Sequence, residues 1–359
     1  MSESQPHVIN STGVTIYVGD SVAVLPMLDA CSVDSVVTDP PYGLEFCGQD
    51  WDGAAGFRKS LADVGTSGMC DEDVFEAWST AWARGAWQVL KPGGHMAVFG
   101  GTRMWVWMAR GIRSAGFQLR DTIAWLYSTG MPKSLDLSHA VDQHLGLARP
   151  DRVVELSDSD TLLGRTSKVL AKGQPVSDDA RRLEGVGTAY KPGFEPILIF
   201  RKPVEESIVA NVLKYGTGGL NIGAGRSESG RWPVNVALDD RIGRELDVAT
   251  GTRGLPDPTS GKFQVFRFEN KPGVLERPKA FGTVHTTVKP LALMRWLVSV
   301  LTPAGGTVLE PFAGSGTTIE AALLDGFKVV AIEKDESYVP LIRQRIERVS
   351  GDDLRTEPK

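Results

Sequence analysis

Strand-length apolar runs alternate with helix-length amphipathic runs from residue 14 to residue 127, cease, and resume after residue 285. Residues 14–18 (Val-Thr-Ile-Tyr-Val) read as a strand ending at Gly19-Asp20, and a short helix follows from Ser21 to Leu28. Residues 33–38 (Val-Asp-Ser-Val-Val-Thr) form a second strand. Phe75, Trp78, Trp82, Trp87 and Leu90 fall near helical spacing between Asp73 and Leu90. Lys91-Pro92-Gly93-Gly94 supplies turn chemistry at the end of that helix. A strand over 95–99, a helix from Met104 to Ser114 and a strand from Gln118 to Tyr127 continue the series. Beyond residue 285, Pro290 to Leu301 reads as a helix with proline near its first turn. Then come a strand (307–311), a helix (317–324), a strand (328–333) and a helix (336–349). Such alternation predicts an α/β fold built on a mostly parallel, doubly wound sheet.

Three stretches break the rhythm. Residues 43–70 are glycine-rich and read as an irregular loop over a site. Residues 146–190 and 203–284 are richer in Gly, Pro, Ser and charge, and one clear strand, Phe194 to Phe200, lies between them. Residues 351–359 read as a frayed tail.

Of the 359 residues, 42% are hydrophobic and 23% charged, an ordinary globular balance. No apolar run reaches the length of a membrane span, and the first residues lack a signal-peptide pattern. Three cysteines (Cys31, Cys47, Cys70) show neither metal-ligand spacing nor an even disulfide framework. That fits a reducing, cytoplasmic setting and no metal requirement. A formal net charge of −5 means that any nucleic-acid contact must use local positive charge.

Asp39-Pro40-Pro41-Tyr42 follows the strand over 33–38, so it falls at a strand's carboxyl end, where open α/β sheets place their chemistry. Two prolines fix two φ angles and remove two N–H donors. A carboxylate stands before them and an aromatic face after them. Acceptors beside a stacking ring suit a planar group carrying an NH2, such as a nucleobase. The plain alternative is a proline turn with Asp39 as a cap.

The second motif is Thr307-Val308-Leu309-Glu310-Pro311-Phe312-Ala313-Gly314-Ser315-Gly316-Thr317-Thr318, a strand, a glycine-rich turn and a helix start. Glycines let a ligand approach the backbone, and helix N–H groups face it. It has neither the third glycine of the dinucleotide fingerprint nor the lysine of a phosphate-binding loop. A nucleoside with an uncharged or zwitterionic tail therefore fits. The next strand ends at Glu333, the position from which an acid commonly takes ribose hydroxyls. The alternative for Glu333 is an acid at a helix N-terminus.

Together the two motifs resemble the S-adenosylmethionine-dependent amino-methyltransferases of DNA, which methylate adenine N6 or cytosine N4. With the catalytic string first and the cofactor string last, the order resembles the β-class permutation. Leu90–Gly94, Ile123–Tyr127 and His285-Thr286-Thr287-Val288-Lys289-Pro290 resemble further segments of that family, and Leu213–Val236 resembles phage and bacterial methylases. The resemblance implies a circularly permuted, Rossmann-like methyltransferase sheet. Its catalytic half would span residues 1–145 and its cofactor half 285–350. Target-recognition inserts would fill 146–284 around a core strand at 194–203. Glu310 stands where the family more often has Asp. Asp39, where N4-cytosine members more often have Ser, favours adenine.

On that resemblance Asp39 and the Pro40 carbonyl accept from the target amine, Pro41 stiffens the turn and Tyr42 stacks on a base flipped out of double-stranded DNA. Trp125 or Tyr127 would form the opposite wall, with core packing as the rival role. S-adenosylmethionine would lie against Phe312, Ala313, Gly314, Ser315, Gly316 and Thr317, above Glu310, with Glu333 on its ribose. Asp20 would contact the adenine ring unless it caps the helix after Gly19. His285 and Thr287 would close over the methionine carboxylate unless they only lead into the next helix. Arg103, Arg110, Arg113 and Lys133, in a stretch that also holds Arg120 and the single acid Asp121, are candidate phosphate contacts against a default of a solvated face. The resemblance also admits a homodimer. No nuclease motif stands out, so the chain reads as a standalone methylase, serving restriction-modification, regulation or a phage genome's protection. A nucleotide-dependent oxidoreductase is the alternative from another enzyme class, and it leaves Asp39-Pro40-Pro41-Tyr42 unexplained.

Overall fold

The computed structural model describes residues 7–45, 50–62, 64–128, 134–149, 152–156, 167–171, 173–226, 230–256, 258–266 and 288–352. His285, Thr287 and Lys133 lie outside them. Two compact units emerge, residues 1–129 with 194–359, and residues 130–193.

The larger unit holds a ten-stranded sheet. Its strands are β1 (His7–Ser11), β2 (Val14–Val18), β3 (Val33–Thr38), β4 (Leu90–Phe99), β5 (Gln118–Leu126), β8 (Phe194–Arg201), β9 (Val236–Asp239), β10 (Gln264–Phe266), β11 (Thr307–Glu310) and β12 (Lys328–Glu333). The smaller unit carries the antiparallel hairpin of β6 (Arg152–Leu156) and β7 (Ser167–Ala171). The large sheet runs β1-β2-β12-β11-β3-β4-β8-β5-β9-β10. Only β1 and β8 run against the rest. The mostly parallel, doubly wound sheet predicted from the alternation is therefore present.

Its central strands are apolar on both sides, as covered parallel strands must be. Alternation then splits each strand between two cores. Val37, Ala97, Phe99, Ile197, Val308 and Ala331 face helices Leu291–Leu301 and Thr317–Leu324. Val36, Met96, Val98, Leu198, Leu309 and Ile332 face helix Asp71–Val89 and its neighbours. Two tryptophans of that helix lie inward, Trp78 and Trp82 at 3% and 0% exposed, whereas Trp87 is exposed.

Four segments differ from the sequence reading. Residues 43–70 are not wholly irregular: a 3-10 turn (Asp50–Asp52) and a helix (Ala54–Ser60) form there. Phe57 supplies the reason, since its ring is buried 4.5 Å from that of Trp78. Lys91–Gly94 is part of β4 rather than a turn. Gly93 has φ +75°, and a Cβ there would meet the Asn211 side chain, whose Nδ2 donates to the Pro92 carbonyl at 2.8 Å. Residues 203–266 also contribute β9, β10 and the helices Ile208–Tyr215 and Asp240–Ala249 to the larger unit. Finally, the amino-terminal β1 pairs as a hairpin with β2.

In the smaller unit, Arg149 and Asp142 form a buried ion pair at 2.6 Å. Asp142 also accepts from the Val176 and Ser177 backbone, which closes that unit around one carboxylate.

Candidate active site

Every parallel strand of the sheet ends on one edge, and β8, running the other way, begins there. Asp39, the Phe312–Gly316 loop, Glu333, Asp20 and Glu195 therefore converge from separate parts of the chain. β3 and β11 are neighbours, with Val308 opposite Ser35 and Leu309 opposite Val36. The two sequence motifs thus leave the sheet side by side. A hydrogen bond from the Thr38 hydroxyl to Glu310 joins the residues just before them.

The first motif is held from below. One carboxylate oxygen of the buried Asp52 accepts the Tyr42 N–H at 2.6 Å and the Gly43 N–H at 2.9 Å. The turn has few N–H groups of its own to satisfy, because Pro40 and Pro41 carry none. Tyr42 lies against Gly101, where a Cβ would come within 3.1 Å of the ring. Its hydroxyl is 2.7 Å from Asp39 Oδ1 and 3.1 Å from Glu195 Oε2.

Lys289, just ahead of helix Leu291–Leu301, completes a cluster. Its Nζ is 2.7 Å from Asp39 Oδ2, 3.1 Å from the Tyr42 hydroxyl and 3.3 Å from Glu195 Oε2. It also lies over the Phe99 ring at 5.0 Å. Burial pulls the Lys289 ammonium down, but Asp39 and Glu195 outweigh it and hold its pKa above the usual lysine value. Burial first, then the two carboxylates, raise the Tyr42 hydroxyl well above its usual range, so it stays a donor. Tyr127 donates to Glu195 Oε1 at 3.4 Å. Its ring is 5.1 Å from that of Trp125, itself 5% exposed and edge-on to Phe99.

The second motif wraps a buried acid. Glu310 accepts from Thr38, from the Phe312 N–H at 3.0 Å and from the Thr318 hydroxyl at 2.5 Å. Burial pushes its carboxyl up to about 8 against those donors. Glu310 thus shapes the loop from beneath. Phe312 rests between Trp78 and Trp82, each 5.4 Å away. Gly316 has φ +80°, and a Cβ there would meet the Ile342 backbone at 3.2 Å. Glu333 accepts the Gly314 and Asp335 N–H groups, and burial raises it to about 7. Asp20 caps its helix through the Val22 N–H at 2.9 Å, accepts from Ser60 at 2.5 Å and pairs with Lys334 at 2.8 Å.

Arg103, exposed, follows the Gly100-Gly101 end of β4 and so stands at the site edge. Arg110 and Arg113 lie on helix Trp105–Ser114, which runs back towards the start of β5. Arg110 pairs with Glu76 at 3.2 Å and covers Trp107. Lys289, Glu195, Asp52 and Thr38 carried no role in the sequence reading. Glu195 had a visible signal, a charge inside the otherwise apolar strand 194–200. Lys289 had none beyond membership of the 285–290 segment.

Residues 33–344 match the family of N6/N4 methyltransferases, described as DNA methylase. The chain belongs to that family. It is a DNA methyltransferase of the amino-directed type, S-adenosylmethionine is its cofactor and DNA its substrate. The oxidoreductase alternative falls with this match. Over 355 residues it is 23% identical to the type II methyltransferase M.HindIII of Haemophilus influenzae, covering 92% of this chain and 94% of that protein. It is likewise 23% identical to the DNA adenine methyltransferase YhdJ of Escherichia coli, over 96% of this chain and 87% of that one. The fold is similar to that of the PvuII cytosine-N4-specific DNA methyltransferase, with a TM-score of 0.52, 15% identity and coverage of 99% and 97%. Among the described residues no helix is long and apolar enough to cross a membrane, and no group of three or more His, Cys, Asp or Glu side chains is arranged to hold a metal ion.

Proposed function

We propose that this methyltransferase acts on adenine N6 of a base flipped out of double-stranded DNA. One observation carries the reading: the Asp39 turn and the Phe312–Gly316 loop leave adjacent strands β3 and β11, joined through Thr38 and Glu310. In this reading an amine acceptor and the cofactor loop lie side by side at one edge of the sheet.

The residues of the second motif fit the cofactor. Gly314 and Gly316 keep side chains off the loop at positive φ, where other residues are strained. Glu333 brings a buried carboxyl to the loop, and in this reading it takes the ribose hydroxyls. Phe312, Ala313, Ser315 and Thr317 line the same turn, with Glu310 below and Asp20 beyond Glu333. When bound, S-adenosylmethionine supplies a methyl group already activated on a sulfonium.

This chain's part is then placement. The adenine amine is a weak nucleophile because its lone pair is delocalised into the ring. The Asp39 carboxylate and the Pro40 carbonyl accept its two hydrogens and favour a pyramidal nitrogen with a localised lone pair. Placement of this kind contributes roughly 7–11 kcal/mol in favourable cases. The proton lost after transfer leaves through Asp39 to solvent. Tyr42 stacks on the base, worth about 1–3 kcal/mol, and Tyr127, at the mouth of the cluster, walls the other side with Trp125 behind it. Arg103 contacts phosphate, and target recognition falls to residues 146–284.

Asp39 in place of Ser supports adenine. Mass spectrometry of nucleosides from unmethylated DNA treated with the protein tests the choice. N6-methyldeoxyadenosine is expected, and N4-methyldeoxycytidine would reverse it.

A further inference from the structure

Asp39 and Glu195 arrive on different strands, yet both bind the same ammonium and the same tyrosine hydroxyl. Two carboxylates gathered around one ammonium repel each other. Lys289, 2.7 Å from one and 3.3 Å from the other, changes that balance. Its side chain is 10% exposed, so solvent screens little of the attraction.

We propose that Lys289 is a positioning residue that keeps Asp39 ionised and aimed, with Glu195 as the second anchor of the ammonium. This rests on the reading that Asp39 accepts from the target amine. An ionised Asp39 offers acceptors only, whereas a protonated one carries a donor hydrogen that opposes an NH2 group. The groups that meet at the cluster are Asp39 and Tyr42 from the turn after β3, Glu195 from β8, Tyr127 after β5 and Lys289 ahead of helix Leu291–Leu301. Glu310, at the end of β11, feels the Asp39 charge as well. Lys289 and the two carboxylates together carry one net negative charge. Loss of Lys289 makes that two, and one carboxyl then takes up a proton.

The test compares the wild type with Lys289→Met, Lys289→Arg and Lys289→Met/Glu195→Gln. Methyl transfer from radiolabelled S-adenosylmethionine to PCR-amplified bacterial DNA is followed against pH. Lys289→Met should move the acid limb up by about one pH unit, so that transfer falls by up to about tenfold at pH values on that limb and less above it. Lys289→Arg should keep the wild-type limb. The double variant should return the limb towards the wild type, because one carboxylate then stands alone. A second readout needs no turnover. Chemical denaturation across pH should show Lys289→Met losing stability as pH rises, relative to wild type, and the double variant should close that gap. A Lys289→Met profile parallel to the wild type in both measurements, or no rescue by Glu195→Gln, overturns the proposal. Loss of the Asp39 reading alone would differ: Asp39→Asn would then transfer methyl normally while the denaturation pattern persisted.

Discussion

Glu333 accepts the Gly314 N–H at 2.6 Å through one carboxylate oxygen while the other accepts the Asp335 N–H at 2.7 Å. One side chain thus ties the end of β12 to the glycine loop after β11, and it does so from a buried position.

That burial raises the Glu333 carboxyl to about 7. The ionised form accepts ribose hydroxyls more strongly, so cofactor affinity should rise between pH 6 and 8. Glu333→Gln should bind about tenfold more weakly at pH 8 and lose most of the pH dependence, since charged acceptors exceed neutral ones by roughly 1–1.5 kcal/mol. Calorimetric titration with S-adenosylmethionine checks both, and an unchanged dissociation constant removes Glu333 from the ribose.

Glu310 titrates at about 8 in the fold against an ordinary 4.5. The folded state therefore holds a proton that the unfolded state releases. Its stabilisation is complete below pH 4.5 and is lost as pH rises towards 8, by up to about 1.4 kcal/mol per unit. Glu310→Gln should flatten the slope between pH 7 and 8, where Glu333 passes from half to mostly ionised and contributes progressively less. Denaturation midpoints at fixed ionic strength measure it.

On the proposed function the ring and the hydroxyl of Tyr42 have separate duties. Tyr42→Phe should keep the stacking face yet free Asp39 and Glu195 from their shared donor, lowering methyl transfer about tenfold with DNA affinity kept. Tyr42→Ala should weaken binding of the flipped base by about 1–3 kcal/mol and leave cofactor affinity unchanged. Equal loss of both affinities would argue against the stacking role.

Arg103 and Arg110 should part company in salt. Arg103→Ala should weaken DNA binding and lower the slope of log affinity against log salt by about 1. Arg110, engaged with Glu76 and Trp107, should leave the slope unchanged when replaced by alanine. Fluorescence anisotropy over a salt series separates the two.

Much of the fold was legible because hydrophobic period and turn chemistry agreed along the chain. Val33–Thr38 and Lys328–Glu333 read as strands from their apolar runs alone, and both ended where a candidate acid begins. The Ala54–Ser60 helix was hidden by the glycines around it, since only Phe57 and Leu61 carry its inward face. The order of strands across the sheet sets β3, which ends just before Asp39, next to β11, which ends shortly before Phe312. Helix capping by Asp20 was visible as one of two roles, and its contacts with Ser60 and Lys334 were not, because they join residues 40 and 314 positions away. The partners of Lys289 and Glu195 were illegible for the same reason. Their meaning lies in a cluster assembled from β3, β8 and a helix start, which no local pattern encodes.

The strand order β2-β12-β11-β3 sets the last two strands of the chain between two of the first three. As the polypeptide is synthesised, β2 and β3 emerge early with a two-strand gap between them. Both bordering edges stay unpaired until residues 307–333 leave the ribosome, and bare edges of this kind invite pairing with other chains. Completion of the sheet and closure of the Phe312–Gly316 loop beside Asp39 are therefore one late event, and a stop codon before residue 307 yields a split, sticky half rather than a smaller working enzyme.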